Sequence, residues 1–379
     1  MPLRALARVN LAAIERNVAR LRGALTGGAG LCAVVKADGY GHGAVPVARA
    51  ALAGGARSLA VATAVEATAL RAGGIEAPLL VMGAVSDEEL PVAVDARAEL
   101  VAWNDRFVSQ LVRVLGAVDG RSARIHVKLD TGMGRLGTRD FAEAARVAER
   151  VAAAAPAIEL TGAMTHFASA DEDPEFTATQ LARFDPFVRF VRDRWPRVAV
   201  HAANSAATLR APTSHFDFVR CGIAVYGCDP MNEDPLSHDL EPALELNSYV
   251  AAVKRAAAGD SAGYGRRWVA REDTWIATVP IGYADGIRRG LTNNCEAIIG
   301  SRRFPLVGAV SMDNITIEVG SPDVVRCGDR VTIIGGGEDG SERVTAEELA
   351  RRIDTINYEI VCGISSRVPR AYHRDGTPA

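Results

Sequence analysis

Residues 31–43 read Leu-Cys-Ala-Val-Val-Lys-Ala-Asp-Gly-Tyr-Gly-His-Gly, which is a short apolar run, then a lysine, then a loop with three glycines. The apolar and partly β-branched run at 31–35 predicts a buried strand. Further runs of this kind follow it along the chain, at 58–62, 78–82, 98–103, 123–129, 158–165, 198–202 and 218–225. Together with the helix-like stretches between them, these runs predict an α/β fold that begins with a (β/α)8 TIM barrel.

Helix-like stretches lie between the predicted strands, at 65–72, 87–94, 105–115 and 140–153. Several of them begin with aspartate, a residue that caps the free N–H groups of a helix N-terminus. TIM barrels place their active sites at the C-terminal ends of the strands. Lys36 follows the first predicted strand directly, so the predicted fold and this residue point to the same place.

After Pro230 the pattern changes to apolar runs separated by Gly, Asp and Asn turns, with few helices between them. These runs predict strands at 248–254, 274–279, 297–299, 304–307, 315–319 and 330–334. A late helix is predicted at about 345–356, beginning with a Thr345/Glu348 capping box. We therefore expect two domains, a barrel at 1–236 and a mostly β C-terminal domain at 237–379.

Composition excludes several classes of function. The chain has 379 residues, of which 48% are hydrophobic, and a net charge of -3 with acids and bases interspersed. That charge argues against a nucleic-acid partner, and no apolar run is long enough to cross a membrane. Residues 1–8 lack the apolar region of a signal peptide. Six cysteines without CxxC spacing and seven histidines without an HExxH pattern argue against a metal site. We expect a cytoplasmic protein.

Lys36 is the first candidate for chemistry. Burial beside apolar neighbours lowers a lysine pKa, because it disfavours the charged form, and a neutral lysine amine can form a Schiff base with an aldehyde. The glycines let the backbone approach a ligand, and Tyr40 can offer its hydroxyl to a phosphate. The segment is therefore a candidate site for pyridoxal phosphate (PLP). A strand that ends in a solvated lysine before a turn explains it equally well.

Polar residues also follow later predicted strands of the barrel. Lys128 and Asp130 share one face of their strand because side chains alternate, and a structural ion pair is the simpler explanation for them. His166 ends the next strand, where a hydrogen-bonded core histidine and a catalytic one are equally supported. Tyr264 lies between glycines in the second domain, a common arrangement in loops.

Phosphate groups often bind to the loops after strands seven and eight of a TIM barrel. Ser205 offers a hydroxyl there, and Gly222 and Ile223 offer backbone N–H groups. Taken alone, Asn204 followed by Ser205 is a common turn, and Arg220 is an ordinary strand arginine that would pair with a carboxylate.

In their order along the chain, these segments and several others resemble the motifs of bacterial alanine racemases. The matching segments are VVKADGYGHG at 34–43, HVKLDTGMGRLG at 126–137, THF at 165–167, ANS at 203–205, RCGI at 220–223, GDSAGYGR at 259–266, PIGYADG at 280–286, GAVSMDN at 308–314 and TINYEIVCGISSRVPR at 355–370. So many motifs in the correct order are far more specific than any one of them. The chain differs from the family pattern at Ser311, where cysteine is common.

The resemblance implies a PLP-dependent enzyme that interconverts L- and D-alanine by a two-base mechanism. Lys36 would hold the cofactor as a Schiff base, and Lys36 and Tyr264 would exchange the Cα proton on opposite faces. The remaining implied roles are cofactor contacts at Tyr40, His166, Asn204, Ser205, Arg220, Gly222, Ile223 and Tyr358, substrate contacts at Arg135 and Met312, and supporting positions at Lys128, Tyr283 and Asp313. The lysine that matches Lys128 can be carbamylated in this family.

Arg220 matters for which reaction the cofactor would carry out. Many PLP enzymes place a carboxylate at the pyridine nitrogen, whereas arginine has only donors and stays charged. Opposite that nitrogen it would disfavour the protonated ring and weaken the electron sink. Proton exchange at Cα would then prevail over transamination.

The resemblance also implies a homodimer. In the family, the residues that match Tyr264 and Met312 reach the active site of the other subunit, which predicts two composite sites per dimer. D-alanine made there would supply the peptidoglycan of the cell wall.

Three alternatives stay open. A decarboxylase of basic amino acids has the same architecture, but those enzymes use an acidic residue at the pyridine nitrogen, unlike Arg220. A PLP carrier protein is a single barrel and has no counterpart of Tyr264. A broader racemase acting on serine or lysine is compatible with Ser311, because one methylene changes discrimination by only about 1–3 kcal/mol.

Overall fold

A computed structural model describes residues 3–116 and 121–379 of the chain. They form two compact units. The barrel unit comprises residues 15–39, 44–116 and 121–225, and the β unit comprises residues 3–14, 40–43 and 226–379. The division at residues 236 and 237 stays a prediction.

The helices and strands have the following bounds. The strands are β1 Leu6–Asn10, β2 Gly30–Val34, β3 Ser58–Val61, β4 Leu79–Val81, β5 Glu99–Ala102, β6 Ala123–Lys128, β7 Ile158–Met164, β8 Ala199–His201, β9 Phe218–Cys221, β10 Leu244–Tyr249, β11 Ala252–Ala256, β12 Ser261–Ala262, β13 Trp268–Val269, β14 Thr274–Val279, β15 Glu296–Ile299, β16 Arg302–Pro305, β17 Ile315–Glu318, β18 Arg330–Gly336, β19 Arg343–Val344, β20 Arg370–Arg374 and β21 Thr377–Pro378. The α-helices are α1 Leu11–Gly23, α2 Ala44–Ala53, α3 Ala64–Ala72, α4 Leu90–Asp95, α5 Asp105–Gly116, α6 Phe141–Ala153, α7 Pro174–Arg194, α8 Ser205–Arg210, α9 Ala346–Arg351 and α10 Asn357–Cys362. Short 3-10 helices lie at Pro212–Ser214, Ile223–Tyr226, Pro235–His238, Tyr264–Arg266 and Arg289–Leu291.

The barrel unit is a ring of eight parallel strands, β2 to β9. Each strand pairs with the next in the chain from β2 to β8, and β9 returns to pair with β2. Backbone hydrogen bonds from Asp217 to Val200 and from Arg220 to Ala203 join the last two strands, β8 and β9. The strands are almost wholly buried because helices cover their outer faces, as in other parallel sheets. The predicted fold class, a TIM barrel followed by a mostly β domain, is confirmed.

The eight predicted barrel strands all exist, and most of their ends shift by one or two residues. The largest difference is at 218–225, where the strand ends at Cys221 and a 3-10 helix begins at Ile223. The helix predicted at 87–94 begins only at Leu90, because Ser86 and Glu89 bond reciprocally ahead of it.

The β unit contains a large mixed sheet in the order β16-β15-β18-β10-β1-β20-β21, with β19 paired to β18. Strand β1 lies inside this sheet, antiparallel to β10 and parallel to β20. Its side chains alternate between buried and half-buried positions, as expected for a strand with one face in the core. A three-stranded sheet, β11-β14-β17, and the hairpin β12-β13 complete the unit.

Several predictions for the C-terminal part were wrong in detail. The segment 248–254 spans parts of two strands that are interrupted at Val250 and Ala251. The helix predicted at 345–356 ends at Arg351, and a second helix follows as α10. Thr345 does cap Glu348, yet the Glu348 side chain binds Arg303 and Arg352, so the capping box is only half formed. Strands β1 and β20 were missed because their partners are far away in sequence.

In the described ranges, no helix is both long and apolar enough to cross a membrane.

Arg303 joins three elements of the β unit. Its guanidinium donates to Glu342 at 2.8 Å, to Glu296 at 3.3 Å and to Glu348 at 2.8 and 2.9 Å. Burial of Glu348 favours its protonated form, but hydrogen bonds from Arg303 and Arg352 hold its pKa below the usual value of 4.5. Such a group stabilises the fold above its unfolded pKa, and the stabilisation is lost as the pH falls through the folded pKa.

We expect Arg303→Met to destabilise the protein at pH 7 by about 1–3 kcal/mol, because three carboxylates lose their shared cation. The difference from wild type should shrink as the pH falls below 4.5, where Glu348 becomes protonated. Thermal unfolding at a series of pH values measures it. The exposed Arg271 is the matched control, and Arg271→Met should change little. A difference that grows on acidification would contradict the assignment.

Candidate active site

Lys36 begins a left-handed turn directly after strand β2. Ala37, Asp38, Gly39 and Tyr40 all have φ between 51° and 61°, a region that costs non-glycine residues about 1–2 kcal/mol each. The Gly39 N–H donates to the Val35 carbonyl at 3.0 Å and closes the turn. The Lys36 side chain is half-buried. A conformation this costly persists only when neighbouring groups hold it in place.

Glu66, at the start of helix α3, is one of those groups. One carboxylate oxygen accepts from the Ala37 N–H at 2.7 Å, and the other accepts from the N–H groups of Ala62 and Thr63 at 2.8 and 3.1 Å. Asp38 fixes the other end of the turn by accepting from the Ala44 N–H at 2.8 Å. The Lys36 turn is therefore tied to the loop after β3 through one carboxylate.

Lys128 and Asp130 are both buried at the end of strand β6. Asp130 accepts from the backbone N–H groups of Gly132 and Gly134 and pairs with Arg139 at 3.2 Å. In the described part of the chain no ion pair joins Lys128 to Asp130, so the ion pair suggested by their spacing is wrong. Asp130 instead shapes the loop that carries the exposed Arg135.

Lys128 has an unusually low pKa for a lysine. Burial and the nearby charges of Arg220 and Arg135 lower the pKa of its ammonium group to about 8, while Asp130 acts in the opposite direction. A substantial fraction of neutral amine is therefore available near neutral pH.

Arg220 is a buried cation inside the barrel, with 2% of its surface exposed. Nη1 contacts His201 Nδ1 at 2.6 Å, and Nη2 contacts the Thr165 and Ala202 carbonyls and His166 Nδ1. Its Nε is also buried, but it has no partner among the described atoms. Burial lowers the pKa of the guanidinium to about 10, so the side chain remains charged at neutral pH. The Nε–H is therefore available to a ligand.

His166 and His201 are held in their neutral form. Burial and the charge of Arg220 lower both pKa values well below the usual range. Arginine can only donate, so His166 Nδ1 must accept from Arg220. The proton of the neutral ring then lies on Nε2, which leaves His166 with one N–H to offer elsewhere.

The segments after β8 and after β9 form a compact polar cradle. Asn204 caps helix α8 by accepting from the Ala207 N–H at 2.9 Å, and Ser205 begins that helix. Ser205 Oγ accepts from the Gly222 N–H at 2.9 Å, next to Ile223 in the following 3-10 helix. Because its oxygen already accepts, the Ser205 hydroxyl has its own proton to donate. The structure brings these four predicted residues together.

The β unit brings a second group of predicted residues together. Tyr264, Ser311, Met312 and Asp313 line one open pocket of about 440 Å³. The loop of Tyr283 is bonded to the loop of this pocket, since the Tyr283 N–H donates to the Ser311 carbonyl at 2.9 Å. Tyr264 is 74% exposed, Met312 51% and Tyr283 43%, which is unusual for such large side chains.

Two further predicted residues of the β unit contact each other. The rings of Tyr40 and Tyr358 lie 6.0 Å apart, and Tyr40 also packs on Tyr226 at 4.9 Å.

Asp313 forms an ion pair with Arg367 at 2.7 Å. Its side chain therefore supports the loop of Met312.

Sequence reasoning missed Glu66 and His201. The Thr63-x-x-Glu66 spacing marks a capping box, which the structure contains, but that motif says nothing of the second bond to Ala37. His201 lies three residues before Asn204, and no local signal points to Arg220 as its partner.

A family model described as alanine racemase, N-terminal domain, matches residues 9–230, and one described as alanine racemase, C-terminal domain, matches residues 243–372. The chain belongs to the alanine racemase family. The family resemblance noted in the sequence, and the enzyme class that it implied, are thereby confirmed.

Curated alanine racemases cover nearly the whole chain. The one from Halalkalibacterium halodurans is 43% identical over 97% of this chain and 95% of its own length, and the one from Symbiobacterium thermophilum is 44% identical over 97% and 96%. Among solved structures, the Bacillus anthracis alanine racemase with bound L-Ala-P has a TM-score of 0.91 at 37% identity, covering 100% of this chain and 97% of that one.

We expect Glu66→Ala to lower racemase kcat/KM about tenfold, as loss of a group that orients a functional residue commonly does. The Ala37 N–H loses its acceptor, so the Lys36 turn loosens. Thr63→Ala is the matched control: it removes the cap of helix α3 at a cost of about 1 kcal/mol but leaves the bond to Ala37 in place. Initial rates and thermal unfolding measure both variants. Equal loss of activity in the two would contradict a role for the Ala37 contact.

Proposed function

We propose that this chain racemises alanine with PLP, using Lys36 and Tyr264 as the two acid–base groups. The observation that carries this proposal is the buried guanidinium of Arg220, whose other nitrogens are all engaged while Nε has no partner among the described atoms. A ring nitrogen that accepts a hydrogen bond would satisfy this donor. Leaving it unsatisfied would cost about 1–3 kcal/mol or more, since the group is charged.

The residues of the barrel unit fit PLP at both ends. Arg220 Nε would hold the pyridine nitrogen, and the Ser205 hydroxyl with the Ile223 N–H would hold the phosphate. The Gly222 N–H donates to Ser205 Oγ and would position that hydroxyl beside the phosphate. Asn204 fixes the helix start beside Ser205. The family resemblance assigns Tyr40 and Tyr358, both of the β unit, to the phosphate as well. Lys36, half-buried at the C-terminal end of β2, would bind the aldehyde carbon.

When bound, PLP withdraws electrons from the α-carbon of an amino acid attached to it and makes the α-hydrogen acidic. The incoming substrate amine would take the place of the Lys36 amine, which releases Lys36 Nζ for proton transfer. Lys36 Nζ and Tyr264 Oη would then act on opposite faces of that carbon. One takes the proton and the other returns one, which inverts the centre. Arg135 fits the substrate carboxylate because a planar guanidinium binds both oxygens, and the Met312 backbone adds a second contact.

Arg220 and His166 set the charge around this chemistry. A permanent cation at Nε disfavours a second positive charge on the pyridine nitrogen, and this supports racemisation over transamination. His166 offers an Nε2–H, because its Nδ1 accepts from Arg220. We assign this N–H to the Tyr264 oxygen, to which it would donate a hydrogen bond.

We propose further that the active enzyme is a homodimer, with Tyr264 and Met312 completing the site of the other subunit. The exposure of both side chains supports this, because a dimer would bury large apolar surface that is open on one chain. Tyr264 also belongs to the β unit and Lys36 to the barrel unit. The D-alanine produced would serve peptidoglycan synthesis.

The proposal is tested by chiral chromatography of L-alanine, L-serine and L-lysine incubated with the purified protein and PLP. We expect D-alanine to appear fastest. Faster inversion of serine or lysine would keep the two-base mechanism but change the substrate, with Ser311 in the pocket of Met312 as the first residue to examine. No inversion of any of the three would overturn the function.

The dimer is tested by mixing two inactive variants, Lys36→Ala and Tyr264→Phe. A heterodimer would contain one intact site, so exchange of subunits should restore up to a quarter of wild-type activity at equal mixing. Either variant alone, exchanged with itself, is the control. Failure to recover activity while mass spectrometry detects heterodimers would contradict the shared site.

We also propose that Lys128 is carbamylated. Its neutral amine can add CO2 to form a carbamate and release a proton, which would turn a buried cation into an anion that orients Arg135. The low pKa of Lys128, about 8, supports this step.

Supply of 13C-labelled bicarbonate should give a carbamate carbon signal in wild type but not in Lys128→Arg, which keeps a positive charge and has no amine that reacts. Removal of CO2 should lower wild-type activity and leave the residual activity of Lys128→Arg unchanged. An identical response of both proteins to bicarbonate would rule the modification out.

A further inference from the structure

A buried hydrogen-bond chain of four side chains runs from Arg220 to the opposite end of the barrel. Arg220 Nη1 lies 2.6 Å from His201 Nδ1, His201 Nε2 lies 2.8 Å from His126 Nδ1, and His126 Nε2 lies 2.6 Å from Glu99 Oε2. His126, His201 and Arg220 are 0–3% exposed and Glu99 is 8% exposed. Glu99 is the first residue of β5, and therefore lies at the end of the barrel remote from Lys36.

Proton positions along this chain follow from the fact that arginine can only donate. Nδ1 of His201 must accept, so the neutral ring carries its proton on Nε2 and donates to His126 Nδ1. His126 then carries its proton on Nε2 as well and donates to the Glu99 carboxylate. All three hydrogen bonds point from the cation to the anion, and no donor faces a donor.

Arg220 has no direct counter-ion. In residues 3–116 and 121–379, no carboxylate lies within 4 Å of its nitrogen atoms. A buried cation without a partner is costly, and a polarised hydrogen-bond chain that ends on a carboxylate reduces this cost. Burial of Glu99 favours its protonated form, but the His126 hydrogen bond and the charge of Arg124 hold its pKa below the usual value.

Neighbouring residues of the barrel make room for this hydrogen-bond chain and support its Glu99 end. A Cβ on Gly162 would lie 1.9 Å from His126 Nδ1, so glycine is needed at that position. Arg124 supports Glu99 from the outside at 2.9 Å, and its side chain is half exposed. A cavity of about 170 Å³ lies at the same end and is lined in part by Glu99, Arg124 and His126. None of these groups belongs to the site proposed for PLP.

We propose that Glu99 is a positioning residue for Arg220, acting through His126 and His201 across the interior of the barrel. It fixes the tautomers of both histidines and supplies the remote negative charge that keeps the guanidinium oriented with Nε toward the ligand. This inference rests on the proposed function only in that Arg220 faces PLP. The hydrogen-bond chain itself is independent of any activity.

The test uses protein labelled with 15N-histidine, purified with its cofactor, and long-range 1H–15N correlation spectra that distinguish the two neutral tautomers. The signals of His126 and His201 are assigned by replacing each histidine in turn. We expect Nε2–H at both positions in wild type. An Nδ1–H tautomer at His201 would overturn the proposal whether or not the protein racemises alanine.

Two substitutions at Glu99 distinguish a role in positioning Arg220 from a role in packing alone. Glu99→Gln keeps an oxygen acceptor for His126 and should retain both tautomers, whereas Glu99→Leu removes it and should change the His201 signal. We expect kcat/KM for alanine to fall about tenfold in Glu99→Leu and by a smaller factor in Glu99→Gln, which keeps the acceptor but loses the negative charge. Arg124→Met, at the same end of the barrel, is the control and should leave the tautomers and kcat/KM near wild type.

A merely structural Glu99 would give a different result. Glu99→Leu would then lower the unfolding temperature while the His201 signal and kcat/KM of the folded enzyme stayed at their wild-type values. That outcome would overturn the proposal. If wild type shows the expected tautomers but does not invert alanine, the proposed function fails. The proposed hydrogen-bond chain from Glu99 to Arg220 is then still supported.

Discussion

The buried positive charge of Arg220 is the constraint on which the interior of the barrel depends. A guanidinium out of water needs nearly all of its donors satisfied, and the carbonyls of Thr165 and Ala202 with two neutral histidines provide this. Burial, together with the charge of Arg220, keeps His166 and His201 neutral and lowers the pKa of Lys128. One side chain thus contributes to the protonation state of several candidate site residues, and its buried Nε, which has no partner among the described atoms, can donate to a ligand.

A second constraint lies in the backbone after β2. Four consecutive residues adopt left-handed dihedral angles there, and Glu66 and Asp38 hold them with hydrogen bonds to main-chain N–H groups. These hydrogen bonds fix the position at which Lys36 leaves the strand. A lysine on an ordinary loop would sample many positions and lose side-chain entropy on binding, whereas this one is placed in advance.

The β unit carries its candidate site residues on an open surface. Tyr264 and Met312 share one pocket and are largely exposed, while the backbone beneath them is tightly bonded through Tyr283 and Ser311. Rigid backbone under exposed side chains is typical of a surface that binds a partner or ligand. The pocket residues themselves come from segments near 263 and 311, which the strands of this unit bring together.

The sequence by itself determined the fold class and most of the candidate site residues. The apolar runs predicted all eight barrel strands, because each run is a local signal. The motifs predicted Lys36, Arg220 and Tyr264 together with the family, because several motifs in the correct order are more specific than one. It did not determine the strands β1 and β20, which pair with each other across nearly the whole length of the chain. Nor did it determine that Asp130 binds loop N–H groups instead of Lys128, or that Glu66 and Glu99 support residues on neighbouring strands. The Glu66 and Glu99 contacts join groups 29 and 27 residues apart, and only the closed barrel brings them within hydrogen-bonding distance. The Asp130 contacts are local, but strand spacing does not show which partner its carboxylate takes.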